Sequence, residues 1–222
     1  VYRKSIVTNK GTTLAVLTGD IVNSTKLNVA QFDTLLHRLK EIQSWISQAN
    51  AGNTHSIRRG DEFQTVIYDP ANALRYVLLY RVGIKALGKA FDCRISFAIA
   101  RNEGTRELVD ESMGEAFIRS GRGLKTLKSE FMHFDSDRSE LVAQFSLLLR
   151  YLDWQLSSLT SRQCEVLLPM LQHEDSLSVS ELADTLNIAV ATASKSLKSS
   201  GWPLIQALRE QFYTQVAETL DV

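Results

Sequence analysis

Apolar and polar residues follow each other along this chain in two rhythms, and the switches between them outline a fold. Thr13 to Thr18 (TLAVLT) is a short, β-branched apolar run ending at Gly19-Asp20, which predicts a buried central strand with an aspartate at its C-terminal end. From Gln31 to Gln48, Phe32, Leu35, Leu36, Leu39, Ile42 and Ile46 recur at three- and four-residue steps, so this stretch reads as an amphipathic helix that stops before Asn50-Ala51-Gly52-Asn53. His55–Arg59 and Phe63–Tyr68 are strand-like and flank Gly60-Asp61-Glu62, the mark of a tight hairpin with carboxylates at its tip. After Pro70 a second helix runs through Leu74, Val77, Leu78 and Val82 toward Gly88. A strand from Cys93 to Ala100 follows, with Ile95, Phe97 and Ile99 at alternate positions. Gly114 to Lys128 reads as a third helix and Phe131–Phe134 as a short strand. The succession β-α-β-β-α-β-α-β predicts an α/β (α+β) fold of ferredoxin-like or palm-like type, with mixed strand directions and helices over one face of the sheet.

Beyond residue 135 only helical periods remain. Ser139 to Leu159 carries Leu141, Phe145, Leu148, Leu149, Leu152 and Leu156 on one stripe, broad enough for a partner helix, so it is expected to connect two domains and to support a homodimer. Thr160 then caps a helix through Val166, Leu167 and Leu171, Ser178 caps a second ending at Leu186-Asn187-Ile188, and a third begins near Val190 and ends at Ser200-Gly201. The stretch SVSELADTLNIAVATASKSLKSSG is similar to bacterial helix-turn-helix modules, with the small Ala183 permitting close packing and Ile188 in the turn. The expected division is an α/β domain over 1–135, a connecting helix over 136–159 and a helix-turn-helix domain over 160–222. In such a module Ala191, Thr192, Ser194, Lys195 and Lys198 would face DNA, the lysines on phosphates and the small polar groups near base edges.

Composition narrows this picture further. Apolar residues make up 44% and charged residues 23%, an ordinary globular balance that argues against extended disorder. Cys93 and Cys164 lie far apart inside apolar patterns, which predicts free buried thiols in a reducing compartment. No apolar run approaches the length that spans a bilayer, and cytoplasmic residence without membrane contact is the expectation. Net charge is zero overall, yet residues 1–154 hold 21 basic and 17 acidic side chains against 4 and 8 in residues 155–222. A DNA-binding module is usually basic, so this helical part would bind DNA weakly as a single copy. The four histidines show no metal-ligand spacing and are assigned no catalytic role.

Three motifs carry a resemblance. LTGDIVNSTKL (Leu17 to Leu27) and RRGDEFQTVI (Arg58 to Ile67) are similar to the two metal motifs of class III adenylate and guanylate cyclases, and GEAFIRSGRGL (Gly114 to Leu124) resembles the cyclase helix that contacts the transition state. RRGDEF is also superficially like the GGDEF signature of diguanylate cyclases. Together with the helix-turn-helix tail, the set looks closest to the SatD family of bacterial proteins, over nearly the whole chain.

The resemblance implies Mg²⁺ or Mn²⁺ held by Asp20, Asp61 and the backbone carbonyl of Ile21, with Arg122 as the transition-state arginine. Carboxylates and divalent ions suit phosphoryl chemistry because the ions bridge phosphate oxygens and neutralise developing charge. Gly19, Asn23, Ser24 and Thr25 would offer N–H groups and hydroxyls to nucleotide phosphates, Arg58 and Arg59 positive charge, and Glu111 an acceptor for a base. The sequence also departs from the cyclase pattern: Ile118 stands where a ribose-orienting asparagine is expected and Ile57 where a base-reading lysine is. Two functions follow as expectations. One is a regulator in which a nucleotide or metal biases the helix-turn-helix; the other is a metal-dependent, cyclase-like enzyme that uses the C-terminal module for assembly.

Overall fold

An unbroken apolar run such as Leu14-Ala15-Val16-Leu17 has no wet side, so both of its faces must be covered. The computed structural model, which describes residues 12–58, 61–102, 114–173 and 177–220, places the run in β1 (Thr12–Ile21), the central strand of a five-stranded sheet. The sheet order is β2-β3-β1-β4-β5, with β2 (Thr54–Arg58), β3 (Glu62–Ile67), β4 (Cys93–Asn102) and β5 (Met132–Ser136). Strand β1 is antiparallel to both β3 and β4, β2 and β3 form the hairpin, and β5 runs parallel to β4. This mixed α/β sheet is the split βαβ arrangement that the element order predicts, extended by one parallel strand. Strand β1 continues past its apolar run because both neighbours continue with it: Asp20 pairs with Glu62 and with Arg94.

Ala15, Leu17, Ile21, Phe63, Ile67, Ile95, Phe97 and Ile99 point to one face, which α1 (Val29–Ala49) and α2 (Ala73–Lys85) cover. Helix α1 starts at a capping box in which Asn28 and Gln31 satisfy each other's backbone N–H groups at 2.9 and 3.0 Å. Helix α3 (Glu115–Thr126) departs from the expectation of a single covered face: it packs on the opposite side, over Leu14, Val16, Val66 and Ala100. The physical reason is its stripe of small residues, Ala116, Ser120 and Gly123, which lets the helix lie close to the strands. Ser120 Oγ meets Thr18 Oγ1 at 3.0 Å, and a Cβ on Gly123 would stand 2.3 Å from both Ser96 Oγ and His133 Nδ1.

The remaining chain is helical: α4 (Ser139–Ser158), α5 (Ser161–Gln172), α6 (Val179–Leu186), α7 (Val190–Ser199) and α8 (Trp202–Leu220). The stripe of α4 is used within the chain, with Leu141, Phe145, Leu149, Leu152 and Leu156 buried, while Leu148 is left partly exposed. Helix α8 was not foreseen from the sequence, although Trp202, Ile205, Phe212 and Val216 give it an inward stripe. The Phe212 ring lies 6.1, 5.6 and 4.9 Å from those of Phe97, Phe134 and Phe145, so one core runs from the sheet into the helical half.

A buried cation ties the same halves together. Arg81 of α2, 1% exposed, donates to Asp92, to the Cys93 carbonyl at 2.6 Å and to Asp153 of α4 at 3.3 Å, and its guanidinium lies over the Phe131 ring. Burial raises the Asp153 carboxyl above the usual carboxylate range, against the opposing pull of the Phe131 N–H and Arg81. Cys93 and Cys164 are both buried and free, as expected, and burial pushes the Cys164 thiol up to about 12 and Cys93 higher. No helix among the described residues is long and apolar enough to cross a membrane.

Candidate functional site

The sheet face under α3 is apolar at one end and polar at the other, where Thr18, Asp20, Gln64, Arg94 and Ser96 take over from Leu14, Val16 and Ala100. This polar end is where the sequence placed its two aspartates, and the structure brings them to adjacent strand ends. Gly19 lies within the ladder between Phe63 and Ile95, so its N–H is committed to strand pairing and not to a phosphate. What glycine provides there is room, since a Cβ would sit 2.4 Å from the tip of the Phe63 ring.

Ile21 N–H donates to the Asp61 carbonyl at 2.9 Å. In an extended strand the N–H and C=O of one residue point the same way, so the Ile21 carbonyl also faces the hairpin tip. Asn23 follows in the left-handed region at φ 54, a conformation asparagine tolerates better than most residues, and turns the chain into a short 3-10 segment. That turn brings the Ser24 hydroxyl back onto Asp61, donating to Oδ2 at 2.9 Å. Asn23 and Thr25 stay exposed beside it. Arg58 is exposed and stands opposite Glu62 in the β2–β3 ladder. Arg59 and Glu111 lie outside the described residues.

The residue that sequence reasoning missed is Arg94. It lies across β4 from Asp20 and donates Nε to Oδ1 at 2.9 Å and Nη2 to Oδ2 at 2.5 Å, a two-pronged fork that takes both carboxylate oxygens. A third donor, Nη1, reaches the Leu127 carbonyl beyond the end of α3 at 3.4 Å. The bond to Asp20 raises the pKa of this guanidinium above its already high ordinary value. The only signal in the sequence was a lone basic residue between Cys93 and Ile95, and strand register alone puts it opposite an acid.

This arrangement does not fit Mg²⁺ or Mn²⁺. Divalent hard cations need several free oxygen ligands, whereas Asp20 has given both of its oxygens to Arg94 and Asp61 one to Ser24. Among the described residues no group of three or more His, Cys, Asp and Glu side chains could hold a metal ion. The guanidinium stands where a cation would be required.

Arg122 lies on α3. It is exposed and, among the described residues, makes no hydrogen bond or ion pair, and it lines a cleft on the α3–β5 side with Arg119, Thr126, His133 and Asp135. Arg119 is engaged there, donating to Glu115 at 2.9 Å and to Asp135 at 2.9 and 3.1 Å. Ile118 is exposed on the outer surface of the same helix.

In the helical half, α6 and α7 are joined by Asn187-Ile188-Ala189. Asn187 is left-handed at φ 50, and the Ile188 N–H returns to the Ala183 carbonyl at 3.0 Å, which closes α6 tightly. Ala193 and Leu197 of α7 face the core while Thr192, Ser194, Lys195 and Lys198 face outward, together with Ala191.

No protein-family model matches the chain, and no curated protein matches it. Solved structures similar to it include the guanylyl cyclase Cya2, at 13% identity and a TM-score of 0.41 over 55% of this chain and 74% of that one. A bacterial light-regulated adenylyl cyclase is similar at 18% identity and a TM-score of 0.41, over 56% of this chain and 76% of that one.

Proposed function

We propose that the chain is a cytoplasmic regulatory protein of the SatD type. In this reading its α/β half takes a nucleotide at the Asp20–Asp61 end of the sheet, and its α6–α7 pair works as a helix-turn-helix on DNA. The motifs GDIVNST, RRGDEFQ and GEAFIRSGRG support the nucleotide half of this reading, and the outward Thr192, Ser194, Lys195 and Lys198 support the DNA half. A phosphate approaching Asp61 and Ser24 would compete with Asp20 for the fork of Arg94, so binding would exchange one partner of a fixed cation for another.

The observation that carries the proposal is the aromatic cluster of Phe97, Phe134, Phe145 and Phe212. Phe97 is three residues along β4 from Arg94, on the opposite face of the strand, and Phe212 belongs to the helix that follows α7. A shift of β4 at Arg94 therefore has a packed route to the DNA-facing helix. The division into 1–135, 136–159 and 160–222 is functional on this view, with one core shared by all three. A second copy docking on the outer side of α4, where Leu147, Tyr151 and Trp154 are exposed, would present two α7 helices and offset the low positive charge of each.

The enzyme reading keeps one observation in its favour, the exposed Arg122, which is unpaired among the described residues and open to a phosphate. It needs Arg94 to release Asp20 before Mg²⁺ or Mn²⁺ could be held. The deciding test is fluorescence anisotropy on duplex DNA in about 50 mM salt, where phosphate contacts are strong, with each nucleoside triphosphate in turn. Affinity that changes on adding a nucleotide, and ceases to change in Asp61→Asn and Arg94→Gln, supports the regulator. DNA affinity indifferent to every nucleotide sinks the coupling, and product formation that requires Asp20 and Asp61 makes the protein an enzyme.

A further inference from the structure

A second cleft lies where the α/β and helical halves meet, and its chemistry is the reverse of the carboxylate end. It is a hollow of about 310 Å³ between the start of α2 and α8, walled by Asn72, Arg75, Arg209, Tyr213 and Thr214, with Glu210 beside them. Arg75 is buried, and its Nε and Nη2 donate to the Leu171 and Gln172 carbonyls at 3.1 and 2.8 Å, which fixes it against the end of α5. Arg209 is half-buried and, among the described residues, makes no hydrogen bond or ion pair. Burial first, and then the neighbouring charge of Arg75, lower the pKa of its guanidinium. Glu210 offsets part of this, and its carboxylate also accepts from Gln206 Nε2 at 2.9 Å. A guanidinium carries five N–H donors and no acceptor, and drawing it half out of water with none of those donors satisfied is unfavourable.

We propose that this cleft binds a small phosphate-bearing anion. Arg209 takes two phosphate oxygens in its planar fork, and the Tyr213 hydroxyl lies on the same wall as a further donor, while the Asn72 amide already donates to Asp69 at 2.7 Å. The volume is at the lower end for ligand pockets, which suits a small phosphorylated molecule and not a polymer backbone. An anion held by Arg209 of α8 against the start of α2 ties the helix that follows α7 to the α/β half. The site stands whether or not the Asp20 end takes a nucleotide.

The test is isothermal titration of the full chain with pyrophosphate, against sodium chloride at matched ionic strength. Saturable binding is expected, weakened at least tenfold in Arg209→Gln. Thr214 is exposed, so Thr214→Glu keeps the fold, and its carboxylate in the cleft should abolish pyrophosphate binding while raising the melting temperature of the free protein. Binding that survives both Arg209→Gln and Thr214→Glu, or that is lost in Arg94→Gln, overturns the assignment, as does the absence of saturable binding. A short single-stranded oligonucleotide that binds through Arg209 more tightly than pyrophosphate would overturn the small-molecule class.

Discussion

Arg94 and Asp20 face each other across the β1–β4 ladder and form two parallel hydrogen bonds of 2.9 and 2.5 Å, so the carboxylate most suited to a metal ion is already neutralised from within the chain. A guanidinium is planar, always charged and matched to a carboxylate, which makes this a lasting partner and not a passing contact.

Removing that partner should open the site. Arg94→Gln is expected to bind Mn²⁺ measurably, read by the loss of the free-ion paramagnetic resonance signal, where the parent protein does not. The double variants with Asp20→Asn or Asp61→Asn should lose this binding again. Equal Mn²⁺ binding by the parent protein would show that Arg94 does not hold Asp20 against metals.

Gly19→Ala tests whether the glycine serves packing. The added Cβ would lie 2.4 Å from Phe63 Cζ, and Phe63 cannot withdraw because it is buried and stacked on Tyr80 at a centroid distance of 4.5 Å. A loss of about 1–3 kcal/mol in urea unfolding is expected for such overpacking. A change within about 0.5 kcal/mol would mean that the ring relaxes freely.

His55 makes stability depend on pH. Burial lowers its pKa from 6.5 to about 4, with Ser47 Oγ and Thr65 Oγ1 each 3.0 Å from its ring nitrogens. Between those values the unfolded chain binds a proton that the folded chain refuses, so stability is full above pH 6.5 and falls as the pH drops toward 4. His55→Gln should flatten that part of the melting-temperature profile. An unchanged slope would assign the acid sensitivity to other groups.

Phe212→Ala should weaken both halves together. The ring is fully buried against Phe97, Phe134 and Phe145, and truncating such a side chain typically costs about 3–5 kcal/mol. Chemical unfolding followed by far-ultraviolet dichroism and by tryptophan fluorescence should shift to lower denaturant with the two signals still coincident. Signals that separate would show that the halves unfold independently.

Much of this molecule is legible in its residue pattern, because period and punctuation are local properties. The alternation of Ile95, Phe97 and Ile99, the caps at Thr160 and Ser178 and the turn at Asn187 each depend on neighbours a few residues away, and each appears in the structure where the pattern puts it. Helix α8 carries an equally local signal in Trp202, Ile205, Phe212 and Val216. The face taken by α3 was not legible, since its inward stripe is made of Ala116, Ser120 and Gly123 and carries no strong apolar signal.

By itself the sequence determined the order of elements, because local periods set the strands and helices and turn residues set the hairpin. Only the tertiary structure decided what Asp20 and Asp61 touch. Arg94 is 74 residues from Asp20 along the chain, and nothing in either segment marks them as partners. Strand register made them a pair, for an antiparallel ladder places side chains together by alignment, and a shift of one residue would have turned Arg94 to the other face of the sheet.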